Sequence, residues 1–392
     1  MVEGRVENGK LTIFLEGKID SLNAPTVEKS IQEQVREHPC ESVELDCDRL
    51  EYCTSAGLRV ILRLSQEVED TKLINVHSDL YNILEMTGFT EMLEVQKAYR
   101  VLSVENCEVI GQGANGRVYR IDPDTIVKVY RNPEALPEIH RERELARLAF
   151  IAGVPTAIPY DVVRIQGGGY GSVFEMLNAT SFAKLLIRGE KTVDEIAGMS
   201  IKLLKLIHSK EIRSEILPDM KEVAMNWAAF LQDYLPAEAW QKLQGLISAV
   251  PEDGHLMHGD YHLKNIMLQN GESILIDMDT LCHGHPIFEL ASMYNAYVGF
   301  GLSNPGNMKD FLGLPEETCQ ELWRKSLALY LGTEDEKVIN ETEDKARIIG
   351  LTRLMRREIR RGGLEREDGR RMIEICRSAL LELIPRVERL VF

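Results

Sequence analysis

Two short stretches carry the residue types that could do chemistry. His258-Gly259-Asp260-Tyr261-His262-Leu263-Lys264-Asn265 is followed by Ile274-Leu275-Ile276-Asp277-Met278-Asp279. Together they offer an aspartate, an asparagine in an Asp-x₄-Asn spacing, and a second aspartate at the end of an apolar run. Phosphoryl transfer asks the protein for a carboxylate to orient the attacking hydroxyl and for oxygen ligands that hold Mg²⁺ against nucleotide phosphates. Asp260 suits the first task; Asn265 and Asp277 suit the second. A solvated turn followed by a strand ending in two acids would read the same way, so the pattern needs support from the elements around it.

That support lies upstream. Val109 to Tyr119 reads as strand, glycine-rich turn, strand, with Gly111, Gly113 and Gly116 where backbone N–H groups could close over phosphates. The helix that a dinucleotide-binding fingerprint requires next is missing. Instead Ile126-Val127-Lys128-Val129-Tyr130 forms a short β-rich run with one lysine at its centre. A lysine on an apolar strand is costly unless an anion meets it, so Lys128 is a candidate phosphate contact, with an outward-facing strand residue as the alternative.

In this order the motifs resemble the protein-kinase-like fold, and within it the aminoglycoside phosphotransferase and choline-kinase branch. His-Gly-Asp-x₄-Asn replaces His-Arg-Asp, and Asp277-Met278-Asp279 stands where a protein kinase has Asp-Phe-Gly. Gly284-His285-Pro286-Ile287-Phe288-Glu289-Leu290-Ala291 is similar to the Gly-Asp-Pro…Asp-Leu-Ala stretch of those small-molecule kinases, with His285 and Glu289 in place of aspartates. The resemblance spans roughly residues 105–392. It implies ATP and Mg²⁺, with Asp260 as catalytic base, Asn265 and Asp277 as metal ligands, and Lys128 on the α/β-phosphates. An acid on the following helix should pair with Lys128. Glu144 is the choice, because Leu148 and Ile151 continue its stripe, and Glu142 is the alternative; both also suit a solvated mixed-charge helix face. Ser172 to Leu177 resembles the last strand of the small lobe, with the backbone of Glu175 to Leu177 meeting adenine. His258 reads as packing, His262 as loop support, and Asp279 either as a further metal ligand or as a strand-end carboxylate.

The first hundred residues have another character. Lys10 to Gly17 alternates as a strand, residues 21–36 form an amphipathic helix through Ala24, Val27, Ile31 and Val35, and residues 41–47 give a second strand facing inward at Val43, Leu45 and Cys47. Thr54 and Ser55 open a helix with Leu58, Ile61, Leu64 and Val68 on its apolar stripe. One of the two hydroxyls is a plausible N-cap, and a helix N-terminus would also accept a phosphate on Ser55. Three segments resemble the STAS domain of anti-sigma-factor antagonists: Leu15 to Pro25, Cys53 to Arg59, and Leu84 to Phe89. The resemblance makes Ser55 the phosphoacceptor candidate, although Thr54 stands where many members have aspartate.

The fold class expected is therefore two-domain: an α/β STAS fold with a mixed sheet over 1–100, then an α+β bilobal kinase-like fold with a β-rich small lobe over 105–177 and a helical large lobe over 178–392. Helices are expected at 193–208, 220–235, 238–249 and 316–331. No apolar run of about 18 residues or more argues a membrane span, and there is no apolar signal core near the start. Seven cysteines without paired or metal-site spacing suggest reduced thiols and a cytoplasmic setting. A net charge of −16 argues against nucleic acid. Arg353, Arg356, Arg357, Arg360, Arg361, Arg366, Arg370 and Arg371 depart from that balance. They read as a solvated face offset by Glu358, Glu365, Glu367 and Asp368, or as a dock for an anionic substrate or for the STAS domain.

The function expected is an ATP- and Mg²⁺-dependent phosphotransferase acting on a small-molecule hydroxyl or amine, with a regulatory STAS domain that could bind a protein partner. Two alternatives stand beside it. One is a protein kinase acting on a STAS serine in cis or trans; the other is a nucleotide-binding scaffold in an anti-sigma-type partner-switching pathway.

Overall fold

The computed structural model describes residues 3–392 apart from residues 8, 9, 41, 114 and 213. Glu41, at the start of an expected strand, and Ala114, in the glycine turn, fall outside the described residues. The chain divides into two compact units, residues 1–105 with 162–169, and residues 106–161 with 170–392. The return of 162–169 to the first unit is not expected from sequence. It follows from parallel pairing of Arg164 and Ile165 with Val101 and Leu102.

In the first unit, β1 (Glu3–Glu7), β2 (Lys10–Ile19), β3 (Ser42–Cys53), β4 (Asp70–Val76) and β5 (Glu94–Lys97) form one sheet in sequence order. The β1/β2 pair is antiparallel and the other pairings are parallel. The helices α1 (Ala24–Glu37), α2 (Ser55–Glu67), α3 (Ser78–Met86) and α4 (Phe89–Met92) connect them. Leu11, Ile13, Val43, Leu45, Leu73 and Val76 are fully buried on the sheet, against Ile31, Ile61 and Leu84 from the helices.

Two local expectations change here. The first helix starts at Ala24 rather than Ser21, because the Asp20 and Asn23 side chains fold the backbone into a turn. Asp20 Oδ1 accepts from Leu22 N–H at 2.8 Å, and Asn23 Nδ2 donates to the Lys18 carbonyl at 2.7 Å. Neither Thr54 nor Ser55 caps α2 through its side chain. Thr54 occupies the cap position, but its hydroxyl donates to the Ile19 carbonyl at 3.1 Å, tying the helix start to β2. Ser55 is the first helical residue and is exposed.

The first unit also holds β6 (Val101–Leu102) and nearly all of β10 (Asp161–Ile165), while the second begins with β7 (Glu108–Gln112), β8 (Gly116–Asp122), β9 (Thr125–Tyr130), α5 (Leu136–Ile151) and β11 (Tyr170–Glu175). Strands β7, β8, β9 and β11 lie side by side in that order, all antiparallel. Past residue 180 the unit is mainly helical: α6 (Phe182–Ile187), α7 (Val193–His208), α8 (Met220–Phe230), α9 (Ala237–Ser248), α10 (Ile287–Tyr297), α11 (Gly306–Leu312), α12 (Glu316–Leu331), α13 (Glu336–Arg360) and α14 (Glu367–Leu383). Every residue of α10 is buried, so this helix is the axis around which α12 and α13 pack. No helix among the described residues is long and apolar enough to cross a membrane.

Candidate active site

The segment that carries Asp260 is pinned by its own alternation. Tyr261 and Leu263 point into the core and are fully buried, and the Tyr261 hydroxyl donates to the Ser200 carbonyl at 2.7 Å. Asp260 and His262, on either side of Tyr261, are therefore turned the other way, toward each other. Gly259 has φ +81°, and a Cβ there would lie 2.3 Å from the Thr280 carbonyl oxygen, so only glycine lets the loop pass this close to the next segment. Asp260 follows directly. Its Oδ2 lies 3.4 Å from His262 Nε2, and Asn265 Nδ2 donates to its carbonyl at 3.0 Å. Burial would raise the Asp260 carboxyl, but His262, His258 and Arg353 outweigh it and bring the carboxyl down to about 2.

A hairpin then carries the remaining oxygen donors to the same place. The strands Ile266–Gln269 and Glu272–Leu275 pair with Ile266 opposite Leu275, and Ile276 N–H donates to the Asn265 carbonyl at 3.0 Å. Asn265 and Asp277 thus leave the same end of one hairpin. Because the Asn265 amide nitrogen is spent on Asp260, its Oδ1 faces away from that bond, as a cation ligand must. Asp277 has φ +66°, a left-handed conformation that costs an ordinary residue about 1 kcal/mol or more. Its side chain is thereby brought onto Lys128.

Lys128 is held from both sides. Its Nζ donates to Glu142 Oε1 at 2.8 Å and to Asp277 Oδ1 at 2.7 Å. Burial alone would lower the ammonium, but the two carboxylates outweigh it and keep it protonated well above the usual lysine value. The acid partner is therefore Glu142, and the choice of Glu144 is corrected. Helix α5 buries Ile139, Glu142, Leu145, Ala146 and Ala149, whereas Glu144 is exposed beside Arg147 and Ile151 is 71% exposed. A stripe drawn from apolar residues alone excludes an acid, yet here the acid belongs to the buried stripe because it meets Lys128 and the Tyr130 hydroxyl, which donates to Glu142 Oε2. Removing Glu142 leaves a buried ammonium with half its partners. Glu142→Ala is therefore expected to cost about 3 kcal/mol of stability, against within about 0.5 kcal/mol for Glu144→Ala. Denaturant unfolding of both variants checks the order.

Sequence reasoning missed two contributors, Glu289 and Asn115, and named a third, Arg353, only as part of an arginine cluster. Glu289, noted only as a departure from aspartate, is fully buried and accepts from His258 N–H at 2.6 Å and from Gly259 N–H at 3.1 Å. Burial pushes its carboxyl up to about 7, against the pull of those two N–H groups. The available signal was an acid inside the otherwise apolar run Ile287 to Ala291. Asn115, in the glycine turn, donates through Nδ2 to Asp279 Oδ2 at 3.0 Å. Arg353 donates to the Gly259 carbonyl at 3.3 Å and to Ser292 Oγ at 3.1 Å.

The other expected residues fall as follows. His258 does more than pack: its Nδ1 accepts from Asp260 N–H, so the neutral ring carries its proton on Nε2 and donates it to the Ile276 carbonyl at 3.1 Å. Burial lowers its pKa and keeps it neutral. Asp279 sits in a short turn after Asp277, where burial and the charge of Asp277 push its carboxyl up to about 7. Of the three glycines, Gly116 is required by the fold itself, since a Cβ would meet the Val129 carbonyl oxygen at 2.1 Å; around Gly113 there is open space. Glu175 ends β11, and the Met176 N–H is already given to the Asp124 carbonyl at 2.7 Å, while Leu177 follows outside the strand. The arginines divide: Arg366 pairs with Glu358 and Asp368, as a balanced face would, but Arg353, Arg356 and Arg357 stack on aromatic rings instead.

Chemically, this gathers one ionised carboxylate, two oxygen donors on a rigid hairpin end, and a doubly anchored ammonium, below a glycine turn. Comparison with known proteins agrees on the class. The phosphotransferase enzyme family profile (APH) matches residues 106–307, and the STAS domain profile matches residues 2–101. A candidate anti-sigma factor antagonist, BtrV, of Bordetella bronchiseptica (strain ATCC BAA-588 / NCTC 13252 / RB50) is 30% identical over 92 residues, covering 22% of this chain and 78% of that protein. The anti-sigma F factor antagonist of Paenibacillus polymyxa is 24% identical over 98 residues, covering 24% and 84%. Similar solved structures include the gentamicin complex of the aminoglycoside phosphotransferase APH(2″)-IIa, with TM-score 0.46, 16% identity, and coverage of 77% of this chain and 95% of that one. A choline/ethanolamine kinase family protein from Mesorhizobium loti has TM-score 0.45, 13% identity, and coverage of 71% and 87%. The chain belongs to the phosphotransferase enzyme family, with a STAS domain of the anti-sigma factor antagonist type preceding the phosphotransferase region.

Proposed function

We propose that this chain transfers the γ-phosphoryl group of ATP to a small-molecule acceptor, with Mg²⁺ held at Asn265 and Asp277. The observation that carries the reading is the hairpin end that sets these two donors beside Asp260 and joins Asp277 to the Lys128–Glu142 pair. The donor set fits the ion. Among the described residues no three His, Cys, Asp or Glu side chains form a metal cage of their own. Mg²⁺ commonly takes one or two carboxylates and completes its shell with phosphate oxygens and water. Bound there, the metal–nucleotide pair supplies the phosphoryl group and the charge neutralisation that a loose transition state requires.

The chain's own residues do the rest. Lys128 contacts the phosphates, held in place by Glu142. Gly111 and Gly113 leave the backbone of the turn free to approach them, and the Glu175 carbonyl with the Leu177 amide flanks adenine. Asp260 orients the acceptor. The acceptor oxygen bonds the γ-phosphorus while the bond to the β,γ-bridging oxygen breaks, the electron pair leaves on ADP, and the hydroxyl proton passes to Asp260. A carboxyl held near 2 is a weak base, so Asp260 orients the hydroxyl first and takes its proton late. The free thiols of the seven cysteines support a reducing, cytoplasmic setting.

A second reading is favoured by one observation. Ser55 is exposed at the first position of α2, open to modification, and it makes a protein acceptor in cis or trans, and hence a partner switched through the STAS domain, a specific possibility. Incubating the full chain with ATP and Mg²⁺, then measuring ADP release and intact mass, separates the two. ADP release that EDTA abolishes, without added mass, supports the small-molecule reading. A phosphate of added mass that Ser55→Ala removes supports the second, and no ADP release under any acceptor condition overturns both.

A further inference from the structure

Helix α13 brings a run of arginines past the candidate catalytic loop, and their partners are unusual. The chain carries 62 acidic against 46 basic residues, so an arginine on its surface should find a carboxylate easily. Yet among the described residues no ion pair is formed by Arg353, Arg356, Arg357, Arg360 or Arg361, while Arg366 just beyond forms two. Three of the five lie instead over rings: Arg353 over Trp227 at 5.3 Å, Arg356 over Phe230 at 5.7 Å, and Arg357 over Phe300 at 4.8 Å. A ring contact covers one side of a guanidinium and leaves N–H groups for other partners; Arg353 gives one nitrogen, Nη1, to the Gly259 carbonyl and to Ser292 Oγ. The Nε atoms of Arg356 and Arg357 are buried with no hydrogen-bond partner, so these guanidinium groups are held without the compensation that a carboxylate would give.

Two of these arginines are linked to the loop that carries Asp260. Arg353 donates to the carbonyl of Gly259, the residue before it. Arg357 reaches the loop through a chain of rings: Phe300 lies 5.1 Å from Phe311, and Phe311 lies 5.0 Å from His262, whose Nε2 is 3.4 Å from Asp260 Oδ2. The carboxylates that act on Arg357 are Glu358, which Arg366 already holds, and Asp260 itself. Burial and the neighbouring Arg361 keep Arg357 below the usual arginine value, the mark of a cation short of negative charge. Lys264, in the same loop, adds a further ammonium over Phe311 at 5.6 Å.

We propose that the acceptor carries a phosphate or carboxylate group that Arg353 and Arg357 bind beside Asp260. This rests on the phosphotransferase reading and narrows its substrate to anionic hydroxy compounds, in place of the amino sugars or choline-like cations that an acidic pocket would take. A planar fork matches either anion through two parallel N–H groups, and placing the anion there leaves the acceptor's hydroxyl within reach of Asp260.

The test uses the full chain with Mg²⁺ and a non-hydrolysable ATP analogue at saturation, so that the nucleotide site is filled. Glycerol 3-phosphate, glycerate, kanamycin, choline and polyglutamate are titrated by calorimetry and by the fluorescence of Trp227 beside Arg353. Saturable binding of glycerol 3-phosphate or glycerate is expected, weakened about tenfold or more by Arg357→Gln and by Arg353→Gln. Arg371→Gln, an exposed arginine on α14, should leave it unchanged. Glycerol 3-phosphate separates from glycerate according to whether the phosphate or the carboxylate is read. Tighter binding of kanamycin or choline, preference for polyglutamate, or no binding of either small anion overturns the proposal. Binding of the nucleotide analogue in the same cell is scored separately, so its loss counts against the phosphotransferase reading instead.

Discussion

Asp277→Ala is expected to lower ATP-dependent turnover by about 10³-fold or more, the several kcal/mol that a positioned divalent cation contributes to a phosphoryl-transfer transition state. The variant should remain folded. Lys128 loses one carboxylate but keeps Glu142 at 2.8 Å, and the left-handed backbone at position 277 is tied down by the hairpin that precedes it. Turnover with the metal titrated checks the effect: a variant limited by metal binding should recover some activity at high Mg²⁺, while unfolding midpoints stay near the parent's. If parent and variant turn over ATP equally, Asp277 is no metal ligand. If the parent itself has no turnover to lose, a nucleotide-binding scaffold becomes the better reading.

Asp260→Asn is the second large effect, and it separates charge from shape. The amide retains the size of the carboxylate but cannot accept a proton. A fall in kcat of about 10² to 10⁴ is expected, with the KM for ATP little changed because the role proposed for Asp260 is toward the acceptor and not the nucleotide. The pH dependence has a definite sign. A carboxyl held at about 2 is ionised throughout the range above it, and it protonates only as pH falls through that value. The parent's kcat should therefore show no acid limb from Asp260 between about pH 8 and 5. An inflection near the ordinary carboxylate range that disappears in Asp260→Asn would contradict the assignment of charges around the loop.

Much of this was legible from neighbours in the chain. The glycine turn between two strands, the lysine in the next strand and the Asp-x₄-Asn loop are each built from residues within about a dozen positions, so local pattern carries them. Glu142 stood only as the alternative to Glu144, because the stripe was drawn by apolarity and the residue that completes it is an acid. Helix α5 sets Ile139, Leu145, Ala146 and Ala149 on its buried face, and that face includes position 142 by helical geometry whatever its polarity. Glu289 hid for the same reason, as an acid among apolar residues whose partners, the N–H groups of His258 and Gly259, lie about thirty positions away in sequence. Thr54 looked like a cap by residue type, but its hydroxyl found the Ile19 carbonyl, which only the β2–β3 pairing of Ile19 with Cys53 brings near.

The sequence by itself determined the class of reaction and the presence of two domains, because both are written in short motifs whose spacing is their geometry. The tertiary structure decided which acid holds Lys128, what pins the loop that carries Asp260, and which arginine meets that loop. Arg353 meets Gly259 across 94 positions of chain, and Lys128 meets Asp277 across 149. Such contacts are set by how helices and hairpins pack, which no local pattern encodes, so the charged partners of the loop that carries Asp260 emerge only when the chain is folded.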